Sequence, residues 1–174
     1  GAIGVSGTTE EIADLAAKHG FQAVELNVTE AADSRDAGKL DDLRAIYDSR
    51  GLRVGATVLP VEFRKDEETF QRDLAGLDRI ARAAAETDCR RCITWILPGS
   101  DERPFDENFE LHRRRLGACA QVLSAEGVWL GLEFVGPRTS RANRNYEFIY
   151  DMQGALSLAE AIDTGNVGLL LDAW

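Results

Sequence analysis

Two carboxylates follow apolar runs of the same length. Residues 128–132 (VWLGL) lead into Glu133, and residues 167–171 (VGLLL) lead into Asp172. Short continuous apolar runs are typical of strands that are buried on both faces of a parallel sheet. An ionised carboxylate is costly to bury unless it pairs with a cation or binds a metal ion. The two strand ends therefore predict one shared site in which Glu133 and Asp172 bind a cation.

Four further side chains are candidates for the same site. Glu25 lies near the end of a predicted strand, where it either binds substrate or forms an ion pair at the rim. Trp95 lies in another predicted strand and is either a platform for a sugar or a core residue. His112 falls on the apolar stripe of a predicted helix, where a packing role competes with a catalytic one. Arg138 lies on a basic loop that clamps a phosphate or carboxylate, closes as a lid, or is simply solvated.

Strand and helix signals alternate along the whole chain, with short connections between them. Glycine and proline end the apolar segments, and Thr8 or Thr9 is placed to cap the first helix, which Gly20 ends. The repeat predicts a parallel sheet with helices packed against it. The predicted strands are residues 3–5, 21–26, 52–59, 92–97, 128–133 and 167–172, and the helical patterns span 12–16, 40–47, 70–81, 109–123 and 156–162.

Two architectures are compatible with this alternation: a doubly wound α/β sheet and an eight-stranded (β/α)8 TIM barrel. The turn after the first predicted strand, SGTT at residues 6–9, lacks the G-x-G-x-x-G pattern of dinucleotide-binding sheets, which favours the barrel. A typical barrel has about 250 residues. Residues 1–174 are therefore expected to form one incomplete TIM-barrel domain with roughly six β/α units, without strands 7 and 8. In either architecture the active site lies at the carboxyl ends of the strands.

The composition is that of an ordinary globular protein, with 174 residues, 44% of them hydrophobic and 29% charged. The net charge of −10 disfavours nucleic acid as a partner, because nucleic-acid-binding proteins usually carry a basic face. No apolar run approaches the ~20 residues of a membrane span and no signal peptide is evident, so a cytoplasmic protein without a membrane partner is expected. A homo-oligomer is compatible with the sequence. Cys89, Cys92 and Cys119 are expected to be reduced structural thiols.

Three segments resemble the xylose-isomerase-like TIM-barrel superfamily, and more narrowly its sugar-phosphate isomerase/epimerase members. They are GFQAVEL at 20–26, GLEFVGP at 131–137 and NVGLLLDAW at 166–174. In that family a divalent ion is held by a Glu ending the fifth strand, an Asp ending the sixth, a His from the seventh and a Glu from the eighth. Glu133 and Asp172 match the first two ligands. The other two would lie beyond Trp174, so residues 1–174 alone are expected to be inactive.

The resemblance implies a metal-dependent isomerase or epimerase of a small sugar or sugar phosphate, which abstracts a proton through a metal-stabilised enediolate. Glu133 would be both a metal ligand and a catalytic acid/base, and the ion would be Mn²⁺, Mg²⁺, Co²⁺ or Zn²⁺. A lyase such as inosose or dehydroshikimate dehydratase uses the same metal site and is an alternative, as is a non-catalytic sugar-binding barrel. Abasic-site endonucleases of this superfamily draw histidines from several strand ends. They are disfavoured, because the only two histidines, His19 and His112, lie on no predicted strand.

Overall fold

The structure, a computed structural model, describes residues 6–172. Its strands are β1 (Ala23–Glu25), β2 (Arg53–Val58), β3 (Arg91–Ile96), β4 (Gly99–Ser100), β5 (Trp129–Phe134), β6 (Tyr146–Glu147) and β7 (Val167–Leu170). Five of them form one parallel sheet in the order β1-β2-β3-β5-β7. Each new strand is added beside the preceding one, as in a barrel, whereas a doubly wound sheet reverses its order at a switch point. Within the described residues the barrel prediction is therefore confirmed.

Helices connect the strands and cover one face of the sheet. They are α1 (Thr9–Lys18), α2 (Val28–Asp36), α3 (Leu40–Asp48), α4 (Glu67–Ala75), α5 (Leu77–Glu86), α6 (Phe105–Ala125) and α7 (Met152–Ile162), with a short 3₁₀ helix at Arg138–Ser140. α5 packs against α2 and α6, and α6 also packs against α7, so these helices form a continuous layer. Among the helices of residues 6–172, none has the length and apolar character needed to cross a membrane.

The hydrophobic core lies between this helical layer and the sheet. Successive residues of a strand point to opposite faces, and β3 and β5 accordingly bury alternate side chains on one face. On β3, Thr94 and Ile96 are buried on the helical side, while Trp95 lies on the other face and is 44% exposed. Leu132 on β5 is fully buried in the same way. We call the face that carries Trp95 the inner face, because in a barrel it points to the interior.

Local signals fix the bounds of the first helix. Thr8 and Glu11 form a capping box, in which Thr8 Oγ1 accepts a hydrogen bond from the Glu11 amide at 3.2 Å and Glu11 Oε2 accepts one from the Thr8 amide at 2.8 Å. The helix ends before Gly20, whose φ of +75° few other residues adopt without strain. The prediction of a helix that starts after Thr8 and stops at Gly20 is confirmed.

Two predicted elements differ from the structure, and one helix of the structure, α2, has no counterpart in the sequence prediction. Residues 70–81 are not one helix, because the chain is interrupted at Gly76 between α4 and α5. The sequence pattern does not indicate α2, because its buried residues are mostly alanine and leave a weak apolar stripe. The strand predicted at 167–172 ends at Leu170. The strand predicted at 3–5 lies outside the described residues.

The short strands β4 and β6 join two connections at the carboxyl end of the large sheet. They are antiparallel, with Gly99 paired to Glu147 and Ser100 paired to Tyr146. The connection after β3 is thereby tied to the connection after β5, and we call this pair of strands the strap. Glycine is required at position 99, because a Cβ there would lie 2.7 Å from Cγ of Arg144.

The cysteines are part of the core. Cys89, Cys92 and Cys119 are buried and free. Burial raises the pKa of all three thiols, and that of Cys119 to about 12. Thiols that stay protonated at neutral pH are poor nucleophiles and poor metal ligands, so the structure agrees with their predicted structural role.

Candidate active site

Glu133 lies on the inner face, near the carboxyl end of β5. It is in register with Trp95 on β3 and with Leu170 on β7, and side chains in register on parallel strands point to the same side. Burial raises the pKa of Glu133, and the negative charge of Asp172 raises this pKa further. The structure therefore brings the two carboxylates singled out in the sequence close enough to repel each other.

Asp172 owes this position to the strand that precedes it. It follows two residues after Leu170, the last residue of β7, and alternate residues of an extended chain point to the same side. Glu133, Leu170 and Asp172 therefore point to the same side of the sheet. A strand-terminal carboxylate on each of two adjacent strands converges on one edge of the inner face.

The donor set of this pair fits part of the coordination sphere of a hard divalent cation. Carboxylate oxygens are the ligands that Mg²⁺ and Mn²⁺ prefer. The repulsion that raises the pKa of Glu133 would be relieved when both carboxylates bind one cation. Within residues 6–172, no third His, Cys, Asp or Glu completes a metal-binding group with them. Glu133 and Asp172 would therefore supply two ligands of a larger set.

Trp95 presents an exposed aromatic surface beside Glu133. Its indole ring lies on the inner face one strand away from the carboxylate. The guanidinium of Arg64 lies over this ring, with Cζ 5.3 Å from the centroid, and also donates a hydrogen bond to the Trp95 carbonyl. An aromatic face in this position can pack against the C–H groups of a sugar. Its predicted substrate-binding role remains a prediction.

His112 is buried on α6, beneath the strap, rather than on the inner face. Its Nδ1 lies 2.8 Å from the carbonyl oxygen of Asn108. The ring packs edge-on to Phe63, with centroids 5.5 Å apart, and against Phe148 at 4.8 Å. Burial lowers the pKa of His112 to about 4, so the imidazole is neutral at physiological pH. These contacts pack the ring in the core, and no contact among the described residues joins it to Glu133. Its predicted substrate-binding role remains a prediction.

Two other predicted site residues, Glu25 and Arg138, make no hydrogen bond or ion pair with Glu133 within the described chain. Glu25 ends β1, which is separated from β5 by two strands, a distance of about 14 Å across a sheet. It lines an open groove of about 980 Å³ between α1 and β1. Arg138 begins the 3₁₀ helix after β5 and is exposed. Their predicted roles in substrate binding stay predictions.

The other two arginines of the basic loop after β5 hold the loop in place. Arg141 forms an ion pair with Glu147 on β6 at 3.4 Å. Arg144 forms one with Asp101, in the connection after β3, at 2.5 Å. Both arginines therefore fasten the strap, and of the three loop arginines only Arg138 has no carboxylate partner within the described chain.

Sequence reasoning missed Arg64. It follows the strand predicted at 52–59 and so lies on the active side, but a loop arginine beside Lys65 and two acidic residues resembles an ordinary solvated position. The signal that identifies it is its contact with Trp95, which is 31 residues away in the chain. Such a contact cannot be derived from local pattern.

Comparison with known proteins agrees with this geometry. Residues 13–174 match the family described as xylose isomerase-like TIM barrel. A search of curated proteins finds no match.

Three solved structures show the same fold. A xylose isomerase domain protein from Alicyclobacillus acidocaldarius subsp. acidocaldarius is 29% identical, with a TM-score of 0.82, over 95% of this chain and 59% of that protein. D-psicose 3-epimerase from Clostridium cellulolyticum H10, solved with D-tagatose, is 16% identical, with a TM-score of 0.69, over 94% of this chain and 57% of that protein. The IolI protein with a bound zinc atom is 19% identical, with a TM-score of 0.70, over 94% and 57%.

The chain spans 57% to 59% of the length of these solved proteins. Its five-stranded parallel sheet and the helices on one face match part of a TIM barrel. The family match covers most of the chain, including both Glu133 and Asp172. The chain belongs to the xylose isomerase-like TIM barrel family.

Proposed function

We propose that the full-length protein is a metal-dependent isomerase or epimerase of a small sugar or sugar phosphate. Glu133 serves as a metal ligand and as an acid/base, and Asp172 serves as a second ligand. The observation that carries this proposal is the convergence of Glu133 and Asp172 at the carboxyl ends of the adjacent strands β5 and β7, where the charge of Asp172 helps to raise the pKa of Glu133. The inner face opens at the carboxyl ends of the strands, where TIM-barrel enzymes have their active sites. The likeness to an epimerase and to a zinc-bound protein supports the same assignment.

The residues of the chain divide the chemistry between them. Glu133 and Asp172 would hold a divalent cation, which would supply positive charge to stabilise the negative charge that develops on the substrate. Glu133 accepts a proton from the carbon next to the carbonyl and later returns a proton to the substrate. Trp95 packs against the sugar and orients it over Glu133.

A dehydratase is the second candidate, because it begins with the same proton abstraction. The two reactions diverge after that step, since a lyase expels a hydroxyl group from the next carbon as water. Proton NMR in deuterated water separates them. An isomerase or epimerase incorporates deuterium without loss of water, whereas a dehydratase yields an unsaturated product.

The decisive experiment compares Glu133→Gln with Glu107→Gln in the full-length protein. Glu107 is an exposed carboxylate at the start of α6, so its substitution removes the same charge away from the inner face. Glu133→Gln is expected to lower turnover of the best ketose in a panel by about 10³-fold or more and to reduce bound metal measured by plasma mass spectrometry. Glu107→Gln is expected to leave both unchanged.

The proposal fails if Glu133→Gln retains wild-type turnover and metal content. It also fails if the metal-loaded wild-type protein exchanges no substrate proton with any ketose or aldose of the panel, which would favour a non-catalytic sugar-binding barrel.

A further inference from the structure

Arg64 stands apart from the other arginines of the chain. Among residues 6–172 four arginines have no carboxylate within 4.0 Å: Arg53, Arg64, Arg91 and Arg138. Arg53, Arg91 and Arg138 are exposed, and water screens their charges. Arg64 is partly buried, and this burial lowers its pKa, an effect that the charge of Glu62 partly offsets. A partly desolvated guanidinium without a carboxylate within ion-pair distance is unusual in a protein with a net charge of −10.

The position of Arg64 is set by its neighbours. Its Cζ lies 4.2 Å from the centroid of the Phe63 ring and 5.3 Å from that of the Trp95 ring. The loop itself is held by the buried Arg115, which donates to the carbonyl oxygens of Phe63 at 2.8 Å and Lys65 at 2.5 Å, on either side of Arg64. The Nε of Arg64 is buried and has no hydrogen-bond partner in this part of the chain. The guanidinium is therefore preorganised and keeps unused donor capacity.

Arg64 also lines a cavity of about 220 Å³ beneath the strap. Two other arginines line this cavity, but each has a carboxylate partner: Arg103 pairs with Glu102 at 3.1 Å, and Arg144 pairs with Asp101 at 2.5 Å. Their charges are thereby neutralised within the wall. The charge of Arg64 is the one that the described wall leaves uncompensated.

His112 lines the same cavity and adds an unused acceptor. Its Nδ1 contacts the Asn108 carbonyl oxygen, which can only accept, so Nδ1 carries the proton of the neutral ring. Nε2 therefore bears a lone pair, and it has no partner among the described residues although it is buried. A buried polar atom without a partner is costly. The wall of the cavity thus contains a cation without an ion-pair partner and a neutral acceptor without a hydrogen-bond partner among the described residues.

Arg64 connects the wall of this cavity to Trp95 on the inner face. Arg64 lies over the Trp95 ring, and Trp95 is in register with Glu133 on the adjacent strand. An oxyanion on Arg64 would lie near the indole ring of Trp95, whose strand is one spacing of about 4.8 Å from the strand of Glu133. The carbon chain of a sugar spans such a separation.

We propose that Arg64 binds an oxyanion, a carboxylate or a phosphate, at the end of the substrate remote from the reacting carbons, with His112 Nε2 accepting a hydrogen bond from a neighbouring ligand hydroxyl. The proposal rests on the proposed function, because it assigns this oxyanion to the substrate of the Glu133 site. It narrows the substrate class from neutral sugars to sugar acids or sugar phosphates. A guanidinium suits either group, since it donates two parallel hydrogen bonds to carboxylates and phosphates alike.

The test is calorimetric titration of the full-length protein with inorganic phosphate and with D-gluconate, in the presence of a chelator and at constant ionic strength. At least one probe is expected to bind, and the tighter one identifies the anion. Arg64→Gln is expected to weaken this binding by about tenfold or more, and Arg64→Lys by less. The matched control is Arg53→Gln, which removes an exposed and unpaired arginine at the opposite end of the sheet and should leave the affinity unchanged. His112→Phe keeps the aromatic packing and is expected to weaken D-gluconate binding.

Absence of binding by both probes would overturn the proposal, and so would equal losses in Arg64→Gln and Arg53→Gln. Unchanged D-gluconate affinity in His112→Phe would remove the role of His112. The titration uses neither metal nor turnover, so its outcome is independent of the Glu133 experiment. If Glu133→Gln retains activity while binding depends on Arg64, the oxyanion site stands and the isomerase assignment falls. If Glu133→Gln loses activity while binding does not depend on Arg64, the isomerase assignment stands and only the oxyanion site is refuted.

Discussion

The direction of a pKa shift separates Glu133 from the structural acids of the protein. Hydrogen bonds and arginine partners lower the pKa of five described carboxyl groups, namely those of Asp66, Glu67, Asp73, Asp101 and Glu110. Their partners stabilise the charged form, as expected for caps and ion pairs. Burial and a like charge instead raise the pKa of Glu133. An acid whose charge the surrounding protein disfavours is more typical of a functional site than of a structural one.

His112 makes the stability of the protein depend on pH. Burial lowers its pKa in the folded state to about 4 from an ordinary value of 6.5. The unfolded chain therefore binds this proton first as the pH falls. The contribution of neutral His112 to the free energy of unfolding is fully present above pH 6.5 and is lost as the pH falls towards 4. Between pH 7 and pH 5 this contribution decreases by about 2 kcal/mol. Urea unfolding at both pH values should show a decrease in the free energy of unfolding that is larger by this amount in the wild type than in His112→Gln. Parallel pH dependence in the two proteins would refute this assignment.

The candidate site is only partly readable from the sequence. Glu133 and Asp172 can be found because each charge directly follows an apolar run, and that signal is local. Arg64 is hidden because its environment depends on Trp95 and on the buried Arg115, both distant in the chain. Arg138 is a candidate in the sequence because it lies on a loop with two other arginines. Those two, Arg141 and Arg144, form ion pairs that exist only in the folded chain.

At the scale of elements, the helices and strands that are predicted well are those whose ends are marked by a helix cap or a glycine. Glycines and caps place the bounds of α1 and of several strands within one or two residues. The strap and α2 are different, because their formation depends on tertiary context. The two-residue strands of the strap are stable only because two loops meet, and the small residues of α2 pack closely on α5 without a strong apolar stripe.

Gly76 offers a test of why the chain is interrupted between α4 and α5. Its φ of −86° and ψ of −10° suit any residue, and a Cβ there would lie 3.6 Å from the Asp73 carbonyl oxygen, an ordinary contact. Gly76→Ala is therefore expected to raise the free energy of unfolding by about 0.5–1 kcal/mol, because alanine has less backbone entropy to lose. Gly20→Ala is the matched control and should lower it by about 1 kcal/mol, since Gly20 has a positive φ. Chemical denaturation measures both. A destabilised Gly76→Ala would mean that the interruption itself is needed for packing.

At the scale of the whole molecule, the site and the sheet are incomplete in the same way. β1 and β7 form the two edges of the large sheet within residues 6–172. β7 is also the strand that leads to Asp172, so the candidate metal ligands lie along one edge. In a closed barrel the next strand would pair there and extend the ring of strand ends around the site. The strand that pairs with β7 in a closed barrel would therefore also bring further residues to the site.

If Glu133 and Asp172 bind one cation, the metal should stabilise the folded full-length protein, and this stabilisation should depend on Glu133. A cation that binds both carboxylates removes their repulsion, and binding to the folded state alone adds about 2.7 kcal/mol when the free metal is about 100 times its Kd. Scanning calorimetry should show a higher Tm with Mn²⁺ than with a chelator. The difference should nearly vanish in Glu133→Gln and persist in Glu107→Gln. An equal metal-dependent shift in Glu133→Gln would place the metal elsewhere.

The strap also determines how the two connections at the carboxyl end can move. The paired strands and the ion pair between Arg144 and Asp101 bind both connections together, and the Phe148 amide donates to the Pro98 carbonyl oxygen at 2.8 Å. Neither connection can detach without breaking the bonds of the other. We therefore expect the two to open as one cooperative unit of local unfolding, with amide protons that exchange with a shared opening free energy. The cavity at Arg64 lies beneath this unit, so a ligand that binds there and holds it closed would slow exchange in both connections at once.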